Sequence, residues 1–212
     1  MEWNERAVAW PGLTGSAKAV FRRLVFDGPS TRPQIGSILG LSRPTMSAAI
    51  AELERLGYVE MIGAVRGPLG RSAAQYRVGR NAGYVMAVDA GATHVRLRAS
   101  TLDRRLLGNH VHRLPAPYFT INEEISRAVA GEVESALVKA QPDWGPLRTL
   151  GIAVPTRVVG PEGDAQASRQ NVVFTRFQPP EGVVVVLENN VNCAAVAEQH
   201  YGAAAEIGRA HV

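Results

Sequence analysis

The sequence predicts a chain of mixed α and β structure in two parts, divided near residue 80. Three observations predict it. Residues 31–57 (TRPQIGSILGLSRPTMSAAIAELERLG) read as two short capped helices around a tight turn. Two strand-like runs with a Gly/Pro tip between them follow at once. From Tyr84 onward, three strands, a helix and a further strand succeed one another, the order of an α/β layer whose sheet is partly antiparallel.

Taken in order, residues 1–15 read as a loose arm in which Trp10 either packs on the first helix or stays disordered. From Ser16 a helix runs to about Asp27, with Ala19, Val20, Phe21 and Leu24 facing inward, and Gly28-Pro29 stops it. Thr31 and Gln34 form a capping box, and Pro33 sits in a first turn whose N–H groups lack intrahelical partners anyway. Ile35, Ile38 and Leu39 share the apolar face, and Gly40 closes the helix. Ser42 offers a second N-cap, and Met46, Ile50, Leu53 and Leu56 form the buried stripe of the next helix, with Gly57 as its left-handed cap. The opposite face begins with Arg43, Pro44, Thr45, Ser47 and Ala48, small or hydrogen-bonding residues with one guanidinium. YVEMIG, the turn AVRGPLGR and SAAQYRV then read as a hairpin. A hairpin directly after such a helix is the wing of a winged helix-turn-helix, and GRNAG (79–83) reads as a linker.

In the second half Tyr84–Asp89 reads as a buried strand and Ala90-Gly91-Ala92 as a tight turn. Thr93–Thr101 alternates, with Val95, Leu97 and Ala99 on one side, and Leu106–Leu114 makes a third strand. Ile121 to about Ala140 is an amphipathic helix with Ile125, Val129, Val133 and Leu137 at four-residue steps. Leu150–Val154 reads as a buried strand, 155–182 as a Gly/Pro/Ser-rich loop, VVVVLENN (183–190) as a strand with a polar end, and Val191–Tyr201 as an alanine-rich helix.

Composition narrows the function classes. At 212 residues, 46% hydrophobic and 20% charged, the chain suits a globular protein of one large or two small domains. No apolar run approaches the roughly 20 residues that span a bilayer, and the N-terminus lacks a signal-peptide pattern, so a cytoplasmic protein without membrane partners is expected. The single cysteine, Cys193, excludes an internal disulfide and a multi-cysteine zinc site, and no metal is expected. Of the net charge of +4, residues 1–80 carry 11 Arg/Lys against 6 Asp/Glu, and the remainder 12 against 13. A basic first part beside a near-neutral second is the charge pattern of a DNA-binding head on a separate body. Only Lys18 and Lys139 are lysines, an Arg bias that a G+C-rich genome also explains.

The candidate DNA contacts follow. Arg32, Ser42, Arg43, Thr45, Ser47 and Ala48 belong to the helix-turn-helix, and Arg66 and Arg71 flank the tip of the wing, within reach of phosphates or a minor groove. A winged helix used for protein contacts is the competing reading. In the second half DAGAT (89–93) has the form Asp-x-Gly-x-Thr at a strand-to-strand turn. Backbone N–H groups and a Thr hydroxyl at such a turn can hold phosphate oxygens, while an Asp orients Mg²⁺ through water.

Taken together, the winged helix, GRSA (70–73), DAGAT, LGIAVP (150–155) and ENNVNCAAVAEQHYG (188–202) resemble the ROK family across nearly all of residues 16–206. That family joins repressors of sugar metabolism to sugar kinases of the actin/hexokinase-like (ribonuclease H-like) fold. The resemblance implies a winged helix-turn-helix over 1–80 and a partial lobe of that α/β fold over 84–212. It implies a double-stranded DNA operator, a homodimer and a sugar effector as partners, with Asn189 as a sugar contact, Asn171 as a loose match to another and Asn192 as a third candidate. Where the family's kinases carry the aspartate that takes the proton from the sugar hydroxyl, this chain has Asn190, and an amide cannot accept a proton near neutral pH. VPTRVVG also stands where the family has a Pro-Gly turn. The family's second lobe would begin after about Ala205, whereas the sequence runs to Val212. Asp89, Gly91 and Thr93 are therefore expected to be a vestigial phosphate site without ATP or another cofactor, and the uncovered half-fold is expected to self-associate. The expectation is a sequence-specific transcriptional regulator, a repressor of sugar-metabolism type without catalysis. The alternative is a sugar kinase or sugar-binding enzyme.

Overall fold

The computed structural model describes residues 12–66, 72–115, 117, 122–155 and 181–202. The expectations for Trp10, Arg71 and Asn171, and for most of the 155–182 loop, lie outside them.

The chain opens with α1 (Gly15–Asp27), whose N-cap is Thr14. Its buried face is Ala17, Val20, Phe21 and Leu24; Ala19 stands one position off the stripe. A two-residue strand β1 (Ser30–Thr31) leads into α2 (Arg32–Leu39), and α3 (Arg43–Arg55) follows. The capping box of α2 is present in full: Thr31 accepts from the Gln34 amide, and the Gln34 side chain accepts from the Thr31 backbone N–H at 2.8 Å. Gly40 ends α2 in the left-handed region, at φ 63°. Ser42 caps α3 through the Thr45 amide at 3.3 Å. Ile38 departs from expectation at 57% exposure, because α2 is only two turns long and buries Ile35 alone. Leu39 and Leu41 are the residues that close that side of the core.

β2 (Val59–Arg66) and β3 (Ser72–Val78) form the antiparallel hairpin, with a bulge between Met61 and Gly63. β1 adds to it through Ser30↔Tyr76 and Thr31↔Gln75, giving a three-stranded sheet of order β1-β3-β2. This short strand has no periodic signal of its own in the sequence; pairing with β3 creates it. The three helices and this sheet enclose one core, which includes Phe21, Leu24, Ile35, Met46, Ile50, Leu53, Tyr76 and Val78.

The second core belongs to a five-stranded sheet of order β6-β5-β4-β7-β8. β4 (Tyr84–Ala90), β5 (His94–Thr101) and β6 (Leu106–Arg113) run antiparallel, while β7 (Leu147–Val154) and β8 (Val184–Asn189) run parallel to β4. Helix α4 (Glu123–Lys139), capped by Asn122, lays Ile125, Val129 and Val133 on the face formed by Met86, Val88, Val95, Leu97, Leu150 and Ile152. His110 and His112 of edge strand β6 both reach Glu132 of α4, the second at 3.4 Å. Helix α5 (Asn190–Tyr201) follows β8 and is largely exposed.

Residues 79–83 are a packed junction rather than an open linker. A 3₁₀ turn over Arg80–Ala82 places Ala82 in the first core, and a second over Pro142–Trp144 lies against it. Arg148 donates to the carbonyls of Ala82 and Asn81, both at 3.0 Å, Arg105 to that of Val78 at 3.0 Å and Arg104 to that of Phe26 at 2.9 Å. Gly145 has φ +75°, and a Cβ there would lie 2.0 Å from the Arg80 carbonyl oxygen. No helix among the described residues is long and apolar enough to cross a membrane.

Two predictions follow from this packing. Replacing Gly145 by Ala should destabilise the chain by about 2–4 kcal/mol, read as a lower urea midpoint, because both the backbone angle and the space forbid a side chain. An unchanged midpoint would mean that the junction yields. The second concerns Glu52 of α3, whose carboxylate accepts from the Thr14 hydroxyl at 2.7 Å and the Thr14 amide at 3.0 Å. The Thr14 hydroxyl, then its amide, hold the Glu52 carboxyl below the ordinary glutamate value. Its stabilising contribution is therefore complete above that ordinary value and is lost as pH falls through the lowered one. Thermal melts should show Glu52→Gln less stable than the parent near neutrality, with the gap closing under acid; a gap independent of pH would refute the linkage.

Candidate nucleic-acid interface

The first half of α3 presents its side chains as the sequence suggests. Met46, Ala49, Ile50 and Leu53 are buried, so the helix is anchored along one stripe, and Ser42, Arg43, Thr45, Ser47 and Ala48 are all exposed on the other side. Ser42 and Thr45 hydroxyls lie 2.8 Å apart, so the cap itself is part of the polar surface. Pro44 falls in the first turn, where a missing N–H costs nothing.

Between the front of α3, the face of α2 and the distal end of the hairpin lies a groove of about 930 Å³. It brings together Arg32, Arg43, Ser47 and Arg66 from the expected set, and adds Gln34, Ser37 and Ser72, which the sequence did not single out. Register explains Ser72: it pairs with Arg66 across the hairpin, so an anion held by that guanidinium would find a hydroxyl beside it. Alternation along a strand could have marked it, but a serine next to a Gly/Pro turn carries no distinctive signal. Arg43 and Arg66 are exposed and have no carboxylate partner among the described residues. Ser42, Thr45 and Ala48 stand on the same half of α3 outside the groove lining.

Arg32 is placed differently. Its guanidinium turns onto Tyr76, donating to the phenol oxygen at 2.5 Å with its central carbon 5.0 Å from the ring centroid, and it lies 3.8 Å from Glu54.

At the DAGAT turn several hydrogen-bonding groups are engaged within the hairpin. The Gly91 amide donates to the His94 carbonyl at 3.0 Å, Thr93 Oγ1 lies 2.8 Å from His94 Nδ1, and Arg96 donates to Asp89 at 3.2 Å. Asn189 is the N-cap of α5, accepting from Val191 at 2.9 Å and Asn192 at 3.4 Å, while the Asn192 side chain donates to Glu188 at 3.1 Å. Asn190 is the first residue of that helix. Partial burial, then the carboxylates of Glu188 and Asp89, push the Cys193 thiol up, which disfavours a nucleophilic thiolate. Among the described residues no group of three His, Cys, Asp or Glu side chains could hold a metal ion.

No family model matches the chain. Over 201 residues it is 22% identical to the xylose repressor of Bacillus spizizenii (strain W23) and likewise to that of Bacillus subtilis (strain 168), covering 88% of this chain and 49% of each relative. The chain thus spans about half the length of the curated relatives it matches. In fold it is similar to a crystal structure of a ROK family transcriptional regulator, a homologue of the E. coli Mlc protein, with a TM-score of 0.52 and 14% identity over 87% of this chain and 48% of that one. The chain is thus similar in sequence to two xylose repressors and in fold to a ROK family transcriptional regulator.

Proposed function

We propose that the chain is a sequence-specific DNA-binding repressor of sugar-metabolism type, acting as a homodimer on a two-fold double-stranded operator. Residues 1–80 form its winged helix-turn-helix head and residues 84–212 an actin/hexokinase-like lobe. The observation that carries the reading is the groove in which Arg43 and Ser47 of α3 meet Arg66 and Ser72 of the hairpin. A helix whose exposed half is small, polar and cationic suits a major groove, and the hairpin guanidinium suits the flanking backbone or minor groove. Ser42, Thr45 and Ala48 extend the contact along α3, and Arg71, outside the described residues, is a further candidate on sequence alone. The names of the curated relatives, xylose repressors, support a sugar as effector. Glu188 and Asn189 at the polar end of β8 and Asn192 in the first turn of α5 are the groups that would meet it; the candidate Asn171 lies outside the described residues.

Chemistry weighs against the kinase alternative: Asn190 offers no base, and the Gly91 amide of the Asp-x-Gly-x-Thr turn already donates to the His94 carbonyl. Asp89, Gly91 and Thr93 are accordingly read as inherited scaffold, and the chain as a non-enzyme of the cytoplasm.

Binding to the upstream region of the chain's own gene, followed by mobility shift or anisotropy, tests the reading. Arg43→Ala and Arg66→Ala should each weaken binding about 10-fold or more and lower the slope of log affinity against log salt by about one. Wild-type affinity in both variants would remove the assignment. For the second half, a panel of hexoses, pentoses and amino sugars with ATP should give no turnover, and xylose or a related sugar should shift operator affinity; robust phosphorylation would reverse the conclusion.

A further inference from the structure

We infer that Arg32 is a positioning residue, the bracket that sets the angle between α3 and the hairpin, and that it does not itself contact DNA. The inference rests on the DNA-binding reading above and specifies how its two contact surfaces are held in register. Arg32 is the first residue of α2, yet its guanidinium reaches both other elements. Nη2 donates to Tyr76 Oη on β3 at 2.5 Å and lies 3.8 Å from Glu54 Oε2, in the last turn of α3. The group's central carbon also lies over the Tyr76 ring, 5.0 Å from the centroid. Tyr76 is 2% exposed and is part of the core, so the bracket is fastened to a side chain that cannot move without repacking.

The geometry has a direct consequence for recognition. Arg43 is the first residue of α3, while Glu54 lies eleven positions further along, three turns away. Holding the far end of a helix fixes its axis, and a change of a few degrees there displaces the front end across the groove shared with Arg66 and Ser72. A guanidinium suits this task because its planar fork can donate to a phenol oxygen, face a carboxylate and stack on a ring at once. An ammonium cannot. A phosphate contact has a different signature: it needs only charge, which lysine supplies, and it releases counterions.

The experiment measures binding of the full chain to the upstream DNA across a salt series for the parent, Arg32→Ala, Arg32→Lys, Tyr76→Phe and, as the contact reference, Arg43→Ala. Tyr76→Phe removes one buried hydroxyl and keeps the ring, so folding is preserved even where Arg32→Ala is compromised. The bracket predicts that Arg32→Ala, Arg32→Lys and Tyr76→Phe each lose about 10-fold in affinity with the salt slope unchanged, while Arg43→Ala loses about one in slope. Near-parental affinity in Arg32→Lys, or a slope lowered by about one in Arg32→Ala, would make Arg32 a phosphate contact and overturn the inference. Melting temperatures that fall while affinity stays parental would make it a purely structural residue and overturn it equally. Should the parent bind no DNA, the DNA reading itself falls. The bracket is then decided by a thermal double-mutant cycle of Arg32→Ala with Tyr76→Phe: additive losses reject it, and strong coupling retains it.

Discussion

Three arginines of the second half donate to main-chain carbonyls of the first and of the turn between them, and the placing of one core on the other depends on that seam. Arg104 reaches the end of α1, Arg105 the end of β3, and Arg148 the 3₁₀ turn between the two cores. Main-chain carbonyls are present whatever the local sequence, so the seam asks little of residue identity on the accepting side. It asks a great deal of backbone approach. At Gly83 a Cβ would lie 2.2 Å from the Pro146 oxygen, and Gly145 is tighter still. Leu102, from the turn between β5 and β6, adds an apolar contact with the first core. A head joined in this way follows the sheet beneath it. Arg148 lies on β7 and its acceptors shortly precede β4, so the junction is tied to both of these adjacent strands.

Within the head the same economy recurs. Thr14 caps α1 and also donates to Glu52 of α3, so one residue terminates a helix and fixes its neighbour. Thr31 is at once the cap of α2 and a paired residue of β1. The buried stripe of α3 fixes its rotation about its own axis. The Thr14–Glu52 hydrogen bonds hold the helix on one side, and the half-exposed Arg32–Glu54 pair at 3.8 Å adds a weaker contact on the other. The helix that carries Arg43 and Ser47 is thus over-determined at positions well away from its exposed half. That arrangement leaves Arg43 and Ser47 of the exposed half free of any part in holding the helix in place.

What the sequence made legible was local. Capping boxes, terminating glycines and 3.6- or 2-residue periodicity depend on neighbours within a few positions, and α2, α3, β3, β4 and α4 were readable for that reason. The Asp-x-Gly-x-Thr turn was readable too, but its chemical state was not: whether the Gly91 amide is open or spent on His94 depends on how the hairpin closes. β1 exists only because Tyr76 and Gln75 lie alongside it. GRNAG looked like a linker since glycine and asparagine favour loops, while its packing against 142–144 is a contact across some sixty residues. Arg32 is the sharpest case. A basic residue beside a helix-turn-helix invites a DNA role on composition alone, and only the tertiary position of Tyr76, forty-four residues later, shows where its guanidinium goes.

The two halves also differ in how their polar groups are used, and this bears on function more than the fold does. Around α3 the hydroxyls and guanidiniums of Ser42, Arg43, Thr45, Ser47 and Arg66 are exposed, with their stems on rigid elements. Around Asp89 and Asn189 the polar groups are drawn inward by neighbours: Asp89 by Arg96, Gly91 by His94, Asn192 by Glu188, with Asn189 capping its own helix. A ligand arriving at the second region would have to replace bonds already made, whereas at the first the Arg43 and Arg66 guanidiniums have no carboxylate partner among the described residues, although Ser42 and Thr45 bond each other at the cap. Charge reinforces the contrast, since the excess of arginine lies in residues 1–80 and the remainder is near neutral. Binding free energy is gained most readily where polar groups are pre-positioned and unspent, and among the described residues Arg43 and Arg66 in the groove between α3 and the hairpin meet that condition better than the polar groups around Asp89 and Asn189.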